Sequence, residues 1–161
     1  MKYKQKLTAG ITLVNKKYKK KQYYHFFREP NNVIVVPKFK SKFIVIKQKR
    51  EPINKKNFEF PMGWIDRGET PNNAGQRELI EETGYKSKSK LKKLSNFYAD
   101  PGRGSRIVYC FYTDKLEKIQ KPEKNIIVGF KSRKQIISLI KNNKFNNASH
   151  IAAFFNYLNL I

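Results

Sequence analysis

The stretch Gly63-Trp64-Ile65-Asp66-Arg67-Gly68-Glu69-Thr70-Pro71-Asn72-Asn73-Ala74-Gly75-Gln76-Arg77-Glu78-Leu79-Ile80-Glu81-Glu82-Thr83-Gly84-Tyr85 decides how this chain is read. Its punctuation is that of a loop entering a helix. Thr70 is an N-cap residue, Pro71 suits the first helical position, and Gly84 stands where a helix ends in a left-handed turn. These signals predict a helix of about fourteen residues. On it Glu78, Glu81 and Glu82 are spaced i, i+3 and i+4, which projects three carboxylates from one face within about 5 to 6 Å of each other. Like charges so placed repel, so the face is either solvated or built to hold a cation.

Charge statistics favour the second reading. The 161 residues include only 12 acidic ones against 35 Lys and Arg, a net charge of +23. Yet Glu59, Asp66, Glu69, Glu78, Glu81 and Glu82 fall in one short segment. Carboxylates clustered on a rigid helix are how a protein holds Mg²⁺, a hard ion that takes oxygen ligands and keeps waters for a phosphate substrate.

Outward from this stretch, short β-branched or aromatic runs bounded by Lys, Asn or Pro read as strands: Ile11 to Val14, Tyr23 to Phe27, Val33 to Val36 and Phe43 to Lys47. Beyond the helix, Leu94 to Tyr98 and Ile107 to Thr113 are strands around the loop Asp100-Pro101-Gly102-Arg103-Gly104, and Ile126 to Phe130 is another. Ser132 caps a helical pattern to about Asn142, and Ala148 to Leu158 repeats apolar residues at helical period. The outline is a mixed sheet flanked by helices, an α/β protein with a strand-rich N-terminal segment.

Gly63, five residues, Glu69, seven residues, then Arg77-Glu78-Leu79-Ile80-Glu81-Glu82-Thr83-Gly84 closely resembles the Nudix box. Tyr85 departs, standing where that family usually has an aliphatic residue. The resemblance implies an α/β/α sandwich with the box, residues 63–85, as a loop-helix-loop. It implies Mg²⁺, with Mn²⁺ as a substitute, held by Glu78 and Glu82, with Glu81 as a further ligand or water-orienting group and Met62 giving its backbone carbonyl. Glu69 and Arg77 are expected to pair and, with Gly63 and Gly84, to serve the structure of the box. Trp64, inside the box loop, is expected to wedge the loop into the core, with a substrate contact as the alternative.

The resemblance extends over nearly the whole chain from about Leu7 and is greatest to ADP-ribose pyrophosphatases. Gln48-Lys49-Arg50, then Phe58-Glu59-Phe60-Pro61-Met62-Gly63, is similar to their approach to the box. Tyr98-Ala99-Asp100-Pro101-Gly102 and Asn147-Ala148-Ser149-His150-Ile151-Ala152-Ala153 are similar to their proline turn and last helix. By position, Arg50 is expected to bind a substrate phosphate and Glu59 a ribose hydroxyl. The general base is expected on the loop from Lys115 to Asn125, as Glu123 with Glu117 the alternative. The activity implied is hydrolysis of ADP-ribose to AMP and ribose 5-phosphate. GDP-mannose or another nucleotide sugar is the alternative. Two departures bear on substrate: Ser105-Arg106 stands where that group usually has a Glu shortly after the turn, and Lys124 and Asn125 stand where acids are common.

Composition excludes other classes. One cysteine, Cys110, in an apolar run forms neither a disulfide framework nor a metal cluster and is expected to be a buried inert thiol. Met1 to Val14 has too brief an apolar stretch, from Ala9, for a signal core, and no run approaches the ~20 apolar residues needed to cross a bilayer. A cytoplasmic protein of one domain over residues 1–161, with no membrane partner, is expected. Its lysines, 28 against 7 arginines, are scattered over separate segments. A nucleic-acid partner, in a protein with a degenerate Nudix fold, is therefore the weaker reading. His25 and His150 show no ligand spacing. The resemblance also implies a homodimer paired through the N-terminal strands, residues 1–30, and the strand-rich segment before Arg50 is too apolar for an exposed edge.

Overall fold

In the computed structural model, which describes residues 2–8, 10–19 and 22–160, the run Val33-Ile34-Val35-Val36 lies wholly inside the protein. Four consecutive buried apolar residues are what a strand covered on both faces requires. In chain order the elements are β1 (Lys2–Lys6), β2 (Thr12–Lys19), β3 (Gln22–Arg28), β4 (Asn32–Phe39), β5 (Lys42–Arg50), β6 (Lys55–Glu59) and β7 (Met62–Trp64). There follow α1 (Pro71–Thr83), β8 (Tyr85–Ser87), β9 (Lys92–Tyr98), β10 (Ile107–Thr113), β11 (Leu116–Lys118), β12 (Ile127–Lys131), α2 (Arg133–Lys141) and α3 (Ala148–Leu158).

The central sheet runs β12-β5-β4-β10-β9, with β6 added to β5 and β7 to β4. It is mixed: β4 and β10 pair in parallel, Tyr109 opposite Val33, while the other pairs are antiparallel. Alternation along β4 splits the core in two. Val33 and Val35 face Ala74 and Leu79 of α1, together with Ile44, Leu91 and Phe111. Ile34 and Val36 face the other way, toward Ile136 of α2, Phe145, and Ala153, Phe154 and Tyr157 of α3. Burying each Val, Ile, Leu or Phe side chain among these stabilises the fold by roughly 1.5–3 kcal/mol. The α/β sandwich expected from the sequence is what the chain adopts.

Boundaries differ where pairing, not hydrophobicity, extends a strand. β2 continues past Val14 through Lys19 because β3 supplies partners as far as Gln22. β1, β6, β7, β8 and β11 were not foreseen; β8 and β11 are three residues each and exist by pairing with one another, Lys118 opposite Tyr85. Part of the loop expected from Lys115 to Asn125 is thus strand, drawn in by the buried Leu116. β1, β2 and β3 form a separate antiparallel sheet, joined to the rest at Phe27, which bridges Gly104. Met1, Ala9, Lys20, Lys21 and Ile161 lie outside the described residues, so the apolar stretch read from Ala9 is followed only from Gly10. Cys110 is fully buried, and burial pushes its thiol up to about 12, in keeping with an inert core residue. Among the described residues, no helix is long and apolar enough to cross a membrane.

Candidate active site

β7 delivers the chain to α1 along the edge of β4, and the helix start is fixed by Thr70, whose Oγ1 accepts the N–H of Asn73 at 3.2 Å. The far end is closed by Gly84 at φ 76°, its N–H donating to the Ile80 carbonyl at 2.8 Å. A side chain at Gly84 would collide with the Gln120 carbonyl. The Gly84 carbonyl in turn accepts from the N–H of Ile119 at 2.9 Å. Glycine here lets the segment after β11 lie against the helix end.

On the helix, Glu82 is buried and its Oε2 accepts the N–H of Met62 at 3.0 Å. Burial, with the charge of Glu78 adding to it, pushes the Glu82 carboxyl up to about 8. Glu78 is raised too, mainly by burial, against the opposing effect of Arg77. Its carboxylate occupies space that only a glycine at position 63 leaves open, since a Cβ there would overlap it. Arg77 ties the box together. It grips Glu69 through Nε (3.2 Å) and Nη2 (3.0 Å), reaches the Trp64 carbonyl through Nη2 (2.8 Å), and contacts Glu78 (2.6 Å) and Glu81 (3.1 Å) through Nη1. This grip holds Glu69 below the usual carboxylate range and raises Arg77 above the usual range for arginine.

Among the described residues, no three acidic, histidine or cysteine side chains converge closely enough to ligate one ion. The donor set nonetheless suits a hard divalent cation. Glu82 is a buried carboxylate and Glu78 a partly buried one, the charged forms of both are disfavoured, and Arg77 lies between Glu78 and Glu81 as the nearby positive charge. A divalent cation relieves the same repulsion more strongly than a half-shared guanidinium.

Glu123 and Glu117 are placed very differently. The N–H of Glu123 donates to the Glu81 carbonyl at 2.8 Å, and its charge is close enough to raise Glu78. It opens onto a groove lined by Lys47, Gln48, Lys49, Lys56 and Lys124. Glu117 sits on β11, paired with Lys88 at 3.6 Å.

Arg50 and Glu59, at the ends of β5 and β6, face each other. Arg50 Nε lies 3.0 Å from Glu59 Oε1, and its Nη2 bonds Glu59 Oε2. Glu59 is fully buried and both its oxygens turn to Arg50, so in this conformation no exposed oxygen is left for a ribose contact. Behind it lies His150, also fully buried. The Phe60 N–H donates to His150 Nδ1 at 3.0 Å, which leaves the proton on Nε2, 3.5 Å from Glu59 Oε2. Burial lowers His150 to about 4, so it is neutral. Sequence reasoning gave His150 no role; its signal was its place on the apolar stripe of α3 with Ala153, Phe154 and Tyr157.

Trp64 corrects an expectation: it does not wedge into the core but is 46% exposed, because β7 pairs with β4 in a register that turns position 64 outward. With Arg50, Gly63, Glu78, Arg106 and Asn147 it lines a cavity of 570 Å³ beside the glutamates. A second cavity of 470 Å³ shares Arg50 and Asn147 and continues over Asn57 and Ile53.

The NUDIX domain family model matches residues 28–153. The chain is 40% identical over 79 residues to the ADP-ribose pyrophosphatase of Bacillus subtilis (strain 168), a match covering 49% of this chain and 42% of that protein. It is 33% identical over 92 residues to the methanol dehydrogenase activator of Bacillus methanolicus, covering 56% of this chain and 49% of that one. The chain thus matches less than half the length of either curated relative. Among solved structures, that of an ADP compounds hydrolase superposes with TM-score 0.82 over 99% of this chain and 91% of its own, at 19% identity, a likeness of fold. The family model runs from the end of β3 into α3 and takes in the whole box with its glutamate face: the chain belongs to the NUDIX domain family.

Proposed function

We propose that this protein is a Mg²⁺-dependent hydrolase that cleaves the pyrophosphate of a nucleoside diphosphate derivative, ADP-ribose foremost. The observation that carries this reading is the glutamate face of α1, with Glu82 buried and Glu78 partly buried beside a cavity that also holds Arg50. The name of the Bacillus subtilis relative supports ADP-ribose as the first substrate to test.

Glu78, Glu81 and Glu82, with the Met62 carbonyl, are the proposed ligands. Mg²⁺, or Mn²⁺ in its place, would supply charge neutralisation at the phosphates and a lowered pKa for the attacking water. Glu123 accepts the proton of that water from a loop fastened to the helix. Arg50 binds a substrate phosphate, and Glu59 acts through Arg50, holding the guanidinium in one orientation. Glu69 and Arg77 pin the entering loop to the helix. The test is a panel of nucleoside diphosphate derivatives, including ADP-ribose, ADP-glucose and GDP-mannose, with Mg²⁺ or Mn²⁺. AMP and ribose 5-phosphate from ADP-ribose are expected, and no metal-dependent turnover of any member would refute the reading.

The β1-β2-β3 sheet is the proposed dimer surface. Its support is two exposed apolar groups, Phe27 on the open three-stranded sheet and Leu7 just after β1. A sedimentation profile of monomer alone at micromolar concentration would exclude it.

A further inference from the structure

Arg50 has its charge met by a buried, bidentate carboxylate. Arg106, which lines the same 570 Å³ cavity, does not. Its ion-pair partner is Glu29 at 3.7 Å, beyond hydrogen-bond length, and its Nε is buried with no hydrogen-bond acceptor. Backbone bonds fix its position on both sides: the Ala99 N–H donates to the Arg106 carbonyl at 3.1 Å, and the Ile107 N–H to Asn31 Oδ1 at 3.0 Å. The cation is therefore held at the cavity wall by the start of β10.

Asn32, 7% exposed, stands in the same wall. The exposed ring of Trp64 gives this cavity a flat apolar side.

The scissile pyrophosphate has the proposed glutamate-held metal to meet its charge, with Arg50, already engaged by Glu59, as a hydrogen-bond donor. A further guanidinium, loosely compensated and lining the same cavity as Glu78, calls for a further anion. We propose that Arg106 selects substrates carrying a phosphomonoester in addition to the pyrophosphate, so that the substrate class is a phosphorylated nucleoside diphosphate derivative. This rests on the hydrolase reading above and refines it. The phosphate projects from either the nucleoside or the far sugar; both present the same dianion to the guanidinium, which binds it through charge-assisted hydrogen bonds.

The test compares kcat/KM for ADP-ribose with that for ADP-ribose 2′-phosphate and for ADP-ribose 1″-phosphate, which place the phosphate at the nucleoside and the sugar end. One of the two is expected to be preferred by on the order of tenfold, the worth of one charge-assisted contact in a partly open site. Arg106→Gln should bring that ratio close to one, and Arg106→Lys should keep part of it. Turnover of ADP-ribose with neither phosphorylated form preferred, or a preference untouched by Arg106→Gln, overturns the proposal. Absence of turnover with every substrate refutes the hydrolase reading instead. Binding then decides for Arg106, read from the fluorescence of Trp64, the chain's one tryptophan. Tighter binding of a phosphorylated form, lost in Arg106→Gln, upholds the proposal; equal binding of all three overturns it.

Discussion

The N–H of Glu123 donates to the carbonyl of Glu81 at 2.8 Å, so a loop residue far along the chain is fastened to the backbone of the helix that carries the proposed metal ligands. The bond uses main-chain atoms and leaves the Glu123 carboxylate free to work. Glu123→Gln keeps this anchor and removes only the basic oxygen. It should slow the chemical step by about 10²-fold with little change in the Mg²⁺ concentration needed for half activity. Glu117→Gln, on β11 beside Lys88, should leave the rate near that of the unmodified enzyme. Equal losses in the two variants would remove Glu123 from the role of base.

Glu82→Gln is expected to have a larger effect by a different route. The side chain keeps its shape and can still accept from the Met62 N–H, so the fold should persist by circular dichroism. What is lost is one charged oxygen of the proposed metal set, and turnover should fall by on the order of 10³-fold or more. Near-normal Mg²⁺-dependent rates in this variant would show that the metal is held elsewhere.

Gly84→Ala tests how the helix end positions the loop. The residue sits at φ 76°, and an added Cβ meets the Gln120 carbonyl. Strain of this kind costs on the order of 1–3 kcal/mol, so a denaturation midpoint should fall accordingly. Because the displaced segment leads to Glu123, kcat should fall as well. Full stability with full activity would mean that the approach of Gln120 matters to neither.

These sites differ in how far the sequence alone exposes them. The box helix was legible because its signals are local: a capping Thr70, Pro71, Gly84 and three glutamates at helical spacing lie within one short window. β4 was legible because a continuous apolar run admits few alternatives. β8 and β11 were not, since three residues of ordinary composition become strand only through a partner some thirty positions away. Arg50 and Glu59 drew attention singly, but their grip on one another depends on β5 and β6 folding back as a hairpin. Trp64 was misjudged because hydrophobicity argues for burial, whereas strand register decided which way it points. His150 and Arg106 depend on contacts made across the whole chain, α3 against β6 and the start of β10 against Glu29.

His150 should give the protein an acid-sensitive component of stability. It is fully buried and neutral, lowered to about 4 by burial, against about 6.5 in an unfolded chain. The sign follows from proton binding. Between these two values the unfolded chain binds a proton that the folded protein does not, so acidification favours unfolding. This contribution is therefore intact above about pH 6.5, declines as pH falls toward 4, and levels off below. A difference of about 2.5 units at 1.36 kcal/mol each corresponds to a loss on the order of 3 kcal/mol. His150→Gln stays neutral across that range and can still accept from the Phe60 N–H, so its stability should depend less on pH in this window. Urea denaturation of both proteins at intervals from pH 7 to 4 measures the difference. Parallel stability curves would show that His150 does not carry the acid response, and that the proton it meets on acidification is accommodated beside Glu59 at no cost to the fold.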